Sequence, residues 1–169
     1  MKKELEKPEI MTGKIRAAVE KNNKEGFAVV ARTEALIQGR GHDVALERAR
    51  MYTDAGCDAF LIHNKNKTPE EVLEFAERYH AAGLATPLVC VPTTYNQVTT
   101  EQLANAGFSL AIYANYSVRA TVRVLQQMFG EIIEGGSLSS GNDHVEPMST
   151  IFDLIWVNEL VENQKRYGS

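Results

Sequence analysis

The sequence predicts an α/β protein built of parallel βα units, and three observations carry that expectation. Four short apolar runs each stop at a cluster of polar residues. Helix-start signals fall between them, and the pattern recurs about every thirty residues, the length of a βαβ unit. Each run is close to continuously apolar, as suits parallel strands buried on both faces.

The elements follow in order. Ile15, Ala18 and Val19 mark an incoming helix. The first strand, within Phe27–Leu36, stops at Arg32 and is followed by Glu34 and the loop Gly39-Arg40-Gly41. Asp43 is expected to cap a helix reaching about Ala55, with Gly56 ending it. The second strand, Asp58–His63, runs into Asn64-Lys65-Asn66. Thr68-Pro69-Glu70-Glu71 then reads as a helix start, with Thr68 as cap, Pro69 in the first helical position and Glu71 bonding back. The third strand, Pro87–Pro92, meets Thr93-Thr94-Tyr95, and Thr99 with Gln102 repeats the capping box. The fourth strand, Phe108–Ala114, ends in Asn115-Tyr116.

A helix from about Val118 to Ile133 carries Val122, Leu125, Met128 and Phe129 on one side, a stripe suited to packing on a sheet. Residues 135–148 read as a flexible surface loop from their glycines and serines. Ser149 to about Tyr167 reads as one last helix, more apolar than a solvent-facing helix, with Trp156 in its middle. It packs either on its own wall or on a neighbouring subunit. The chain is expected to form one domain, with its four βα units in residues 13–134.

At 169 residues the chain can bury a real core. It falls short of the roughly 250 residues of a closed (β/α)8 barrel, which leaves a small open sheet or part of a barrel. A formal charge of -4 without a basic stripe argues against a nucleic-acid partner. No apolar run has the length of a membrane span, and Met1–Lys7 lacks the apolar centre of a signal peptide. Cys57 and Cys90 have no metal-ligand spacing and read as buried reduced thiols of a cytoplasmic protein.

Side chains at the carboxyl ends of neighbouring parallel strands converge on one mouth. Arg32, His63, Thr93 and Asn115 are the candidates. A guanidinium offers a planar fork suited to a carboxylate, phosphate or phosphonate. His63 can add a hydrogen bond, or a charge when protonated. Thr93 and Asn115 add neutral donors. Each has a structural alternative: Arg32 paired with Glu34, His63 a satisfied structural group, Thr93 a turn former, Asn115 a helix cap. Glu34, two residues beyond Arg32, is read as support for that arginine rather than as a general base. Lys65 and Lys67 are read as solvated groups that add positive potential. The residues alone describe a site for a small di- or trianion, without a reaction.

Four segments together are more specific. Val30-Ala31-Arg32-Thr33-Glu34-Ala35-Leu36-Ile37 resembles a strand-end motif of the isocitrate lyase and phosphoenolpyruvate mutase superfamily. Ala55–His63, Val89–Thr93 and Ile112–Asn115 resemble its phosphoenolpyruvate mutase branch, with phosphonopyruvate hydrolase as close sister. The resemblance runs from about Gly13 to the final helix. It implies a (β/α)8 TIM barrel, here its carboxyl-terminal half, whose last helix is swapped between subunits of an oligomer. It implies interconversion of phosphoenolpyruvate and phosphonopyruvate with Mg2+, and Arg32 and His63 holding the transferring phosphoryl group as catalytic residues.

Two departures stand out. Relatives often carry Asn-His where this chain has Asn115-Tyr116. The metal-binding acids, the nucleophile-site aspartate and the gating loop of the family's first half have no counterpart here, and Asp43 and Asp54 are poor substitutes. Met1–Pro8 is expected to replace the tail of that half. The resemblance therefore implies a protein inactive alone, without Mg2+ ligands of its own. The alternatives are a phosphonopyruvate hydrolase fragment and a non-catalytic half-barrel that pairs with itself or with a complementary half.

Overall fold

The computed structural model describes residues 4–22 and 26–168. The chain divides into two compact units, Met1–Tyr116 and Ser117–Ser169. The expected role of Met1–Pro8 lies partly outside the described residues; within them, Leu5 packs against the core.

In the first unit, α1 (Pro8–Lys21) precedes β1 (Val30–Thr33), α2 (Gly41–Asp54) and β2 (Ala59–Ile62). There follow α3 (Glu70–Ala81), β3 (Leu88–Cys90), α4 (Thr100–Asn105) and β4 (Phe108–Ala111). All pairings are parallel and the strand order is β1-β2-β3-β4, so β1 and β4 are the edges. A sequential parallel order is that of consecutive units in a (β/α)8 barrel; a doubly wound sheet reverses direction partway. Between β3 and β4 the register slips, with Leu88 opposite Phe108 but Val89 opposite Leu110.

One face of the sheet is covered. Phe60, fully buried in β2, stacks within 6.0 Å of Tyr79 and 6.1 Å of Phe75 on α3, and lies 6.3 Å from Tyr52 on α2. The apolar stripes of both helices thus meet on one ring. The opposite face holds a smaller cluster of Leu61, Val89 and Val91. Toward the edges that face is open: Val30 is 46% exposed and Leu110 53%.

Several local expectations are corrected. The second helix starts at Gly41, so Asp43 lies in its first turn and caps nothing; a carboxylate there still suits the helix dipole. Gly56 ends that helix with φ +93°, a conformation open to glycine. The third helix starts at Glu70 without a side-chain cap. The Thr68 side chain bonds the Glu70 carboxylate instead, and Glu71 turns toward Asn64 and Asn66. The Thr99–Gln102 capping box is present in both directions.

In the second unit, α5 (Tyr116–Gly135) contains no buried residue. Residues 135–148, expected as loop, include a 3-10 helix at Leu138–His144. It is held by His144 against Glu131 at 3.0 Å and by Gly141 close to Met128 and Ile132. The expected last helix is two, α6 (Met148–Leu154) and α7 (Val157–Tyr167), because Trp156 adopts φ +61° and breaks the helical path.

Phe60→Ala should cost about 3–5 kcal/mol, read as a lowered urea midpoint, because the ring carries the main core. Thr99→Ala should cost about 1 kcal/mol through the lost cap.

Candidate functional site

Arg32 is the third residue of β1, not its last, and lies opposite Leu61 of β2. It alternates with buried Ala31 and Thr33, so its side chain leaves the sheet on the open face. Its Nη2 donates to Glu34 Oε1 at 2.8 Å. Both side chains are well exposed, so the pair contributes under ~1 kcal/mol and orients the arginine without locking it. This contact is the Arg32–Glu34 pairing expected as the structural alternative.

His63 directly follows β2 and is half-buried. Burial pushes its pKa below the ordinary value, the Arg32 guanidinium pushes the same way, Glu34 partly offsets this, and Lys65 adds to the lowering. Those through-space effects put His63, Arg32 and Glu34 in one electrostatic neighbourhood. Burial and the neighbouring cations thus favour the neutral imidazole, which offers one N–H donor, over the charged form. Its Nδ1 is buried and meets no partner among the described residues.

Thr93 and Asn115 form a second group. Thr93 Oγ1 donates to the carbonyl of Ala114 at 3.3 Å, tying the loop after β3 to the segment after β4. Asn115 is exposed with φ +65°, directly before α5. Among the described residues no hydrogen bond joins this group to Arg32 or His63. Tyr116 Oη accepts a 2.8 Å bond from Asn96 Nδ2.

Three polar residues near the mouth had no assigned role in the sequence reading. Asn64 is 1% exposed, and its Nδ2 donates to Glu71 Oε2 at 3.0 Å, with Asn66 at 2.8 Å on the same oxygen. The carboxylate thereby fixes the loop behind His63. Arg48 of α2 is buried on the helix face that carries Ala45, Ala49 and Tyr52. The signal for it was a charged residue at core-facing spacing. The thiols offer no nucleophile: burial raises Cys57 and raises Cys90 to about 11.

A sequential parallel sheet of consecutive βα units, with an arginine near one strand end, defines a barrel-type α/β protein. The chain belongs to the phosphoenolpyruvate phosphomutase family, whose model matches residues 1–133. Phosphonopyruvate hydrolase of Variovorax sp. (strain Pal2) is 36% identical over 167 residues, covering 98% of this chain and 57% of that protein. Phosphoenolpyruvate phosphomutase from Streptomyces platensis subsp. rosaceus superposes with a TM-score of 0.89 at 40% identity, over 99% of this chain and 57% of that one. Phosphonopyruvate hydrolase in complex with oxalate and Mg2+ superposes at 0.87 with 34% identity, over 98% and 58%. The chain spans about half the length of the curated relatives it matches.

The residues described do not fit a divalent cation. Among them, no group of three or more His, Cys, Asp or Glu is placed to hold a metal. Glu34 is neutralised by Arg32, Glu71 is held by two asparagines, and Asp43 lies 3.6 Å from Arg78. Among the described residues Glu4 also borders the space beside Arg32, and one carboxylate there does not make a ligand set.

In an NMR titration His63 should show a midpoint below 6.5, which Arg32→Ala raises and Glu34→Gln lowers further. Because the folded value lies below the unfolded one, the unfolded chain takes the proton first. Stability should therefore fall as pH drops through about 6.5 and level off below the folded midpoint. A midpoint at or above 6.5 would remove the neutral imidazole from the site.

Proposed function

We propose that this chain is the carboxyl-terminal half of a phosphoenolpyruvate mutase-type barrel and supplies the wall that holds the transferring phosphoryl group. The observation that carries the reading is the cluster of Arg32, Glu34 and neutral His63 at the ends of two adjacent parallel strands. Arg32 takes phosphoryl oxygens in a bidentate grip, and His63 donates one hydrogen bond to the same group. Thr93 and Asn115 stand at the ends of the next two strands, toward the carboxylate and carbonyl of the substrate.

In the proposed reaction the C–P bond of phosphonopyruvate breaks and an O–P bond forms on the enolate oxygen, or the reverse. Such a transfer is loose, with charge spread over the phosphoryl oxygens, so positioned donors contribute more than a covalent partner. In the hydrolase variant, which the similarity to the Variovorax protein supports alongside the mutases, water receives the phosphoryl group and pyruvate leaves. The same wall serves either acceptor. Magnesium, when bound in such enzymes, supplies charge neutralisation on the substrate oxygens; its ligands would come from outside the residues described here.

The final helices belong to the same reading. The apolar residues Phe152, Leu154, Ile155 and Trp156 are exposed, which supports a helix swapped with a neighbouring subunit. The open edges β1 and β4 support pairing with a second copy or a complementary half. No helix among the described residues is long and apolar enough to cross a membrane. The two free buried cysteines suit the cytoplasm.

Arg32→Ala should weaken phosphonopyruvate binding at least about tenfold, the loss expected for a charge-assisted bond. Unchanged affinity would overturn the clamp. With phosphonopyruvate and Mg2+ the chain alone should give no phosphoenolpyruvate by 31P NMR, and turnover would refute an external metal site. Light scattering should show a dimer or larger assembly; a monomer would count against swapping and edge pairing alike.

A further inference from the structure

We propose that Arg48 is a second seat for the Glu34 carboxylate, and that an oxyanion binding to Arg32 moves Glu34 from one arginine to the other. The inference rests on the phosphoryl-holding role of Arg32 given above.

A cavity of about 180 Å³ is bordered by Arg32, Glu34, Gln38, Arg48 and Tyr52. Both arginines and Glu34 thus border the same space. Arg32 holds the carboxylate at 2.8 Å. Arg48 is only 7% exposed, and its partners are neutral: Nη1 donates to Tyr52 Oη at 2.9 Å and Nη2 to the Glu6 carbonyl at 2.8 Å. Its Nε is buried without an acceptor. Among the described residues it has no carboxylate partner. A buried guanidinium without a counter-charge is costly, and a carboxylate within reach relieves that cost.

Glu34 is that carboxylate. Its pairing with Arg32 is exposed and weak, so it yields to a better ligand. A phosphoryl oxyanion arriving at Arg32 competes for the same N–H groups and repels the carboxylate. The cavity offers the displaced group a waiting donor already oriented by Tyr52 and Glu6. Two other acids border the space. Glu6 is held by Lys14 at 3.1 Å, and Glu4 is exposed. Arg48 thus acts as a positioning residue, through Glu34 and without touching substrate.

Two measurements test this on the full chain. The first needs no ligand: in Arg32→Ala, a crystal structure or Arg side-chain NMR should show Glu34 ion-paired with Arg48. Glu34 turned to solvent would overturn the proposal. The second is a cycle of phosphonopyruvate affinities. Glu34→Gln should tighten binding and Arg48→Gln weaken it, each about two- to fivefold, the range set by one exposed ion pair. In the Glu34→Gln background, Arg48→Gln should then have no effect. An equal loss in both backgrounds would mean a structural, through-space or Glu4-linked role and would sink the exchange. If Arg32→Ala leaves affinity unchanged, the phosphoryl-holding reading fails, whereas a failed cycle with Arg32 intact as clamp removes only the role of Arg48.

Discussion

The contact of the Phe60 ring with Tyr52, Phe75 and Tyr79 brings α2 and α3 onto one face of the sheet. The alternation along each strand then follows from it. Ala31 and Thr33, with Phe60 and Ile62, are committed to the helix side, so Arg32 and Leu61 must project from the other. A parallel sheet ordinarily has both faces covered, and here only one is filled by helices of this unit. The candidate chemistry sits where the uncovered face meets the strand ends. The outward placement of Arg32 and the open face are thus two results of the same packing.

Much of this was legible in the sequence because it depends on local signals. Four continuous apolar runs gave four strands, and the Thr99–Gln102 box formed as its spacing implied. Misreadings came where several polar groups compete for one partner. Glu71 could bond back to a cap, but Asn64 and Asn66 claim its carboxylate, and spacing does not reveal neighbours that arrive from another loop. The break at Trp156 was equally hidden, since Ile155 and Leu160 continue an apolar helical pattern through it.

For the proposed site, residue type and strand position singled out Arg32 and His63 as candidates, and the family resemblance implied a substrate for them. The state of His63 was not legible. Its neutrality depends on burial and on the distance to Arg32, both of which are tertiary quantities. Arg48 shows the reverse situation. Its core-facing register was visible in the sequence, yet a buried arginine gains meaning only when the groups around it are seen to be neutral.

The slipped register between β3 and β4 has a consequence for how this segment tolerates change. Ser109 is the extra residue, and it reverses the odd–even assignment of everything after it. Phe108 and Ala111 consequently face the main core, while Ala114 joins Leu61 and Val89 across the sheet. Side chains here are interchangeable within a size class, but the number of residues is not. Insertion or deletion of a single position within Phe108–Ala111 would reverse which residues of the last strand face the core. In this stretch the residue count matters more to the facing of side chains than their identity.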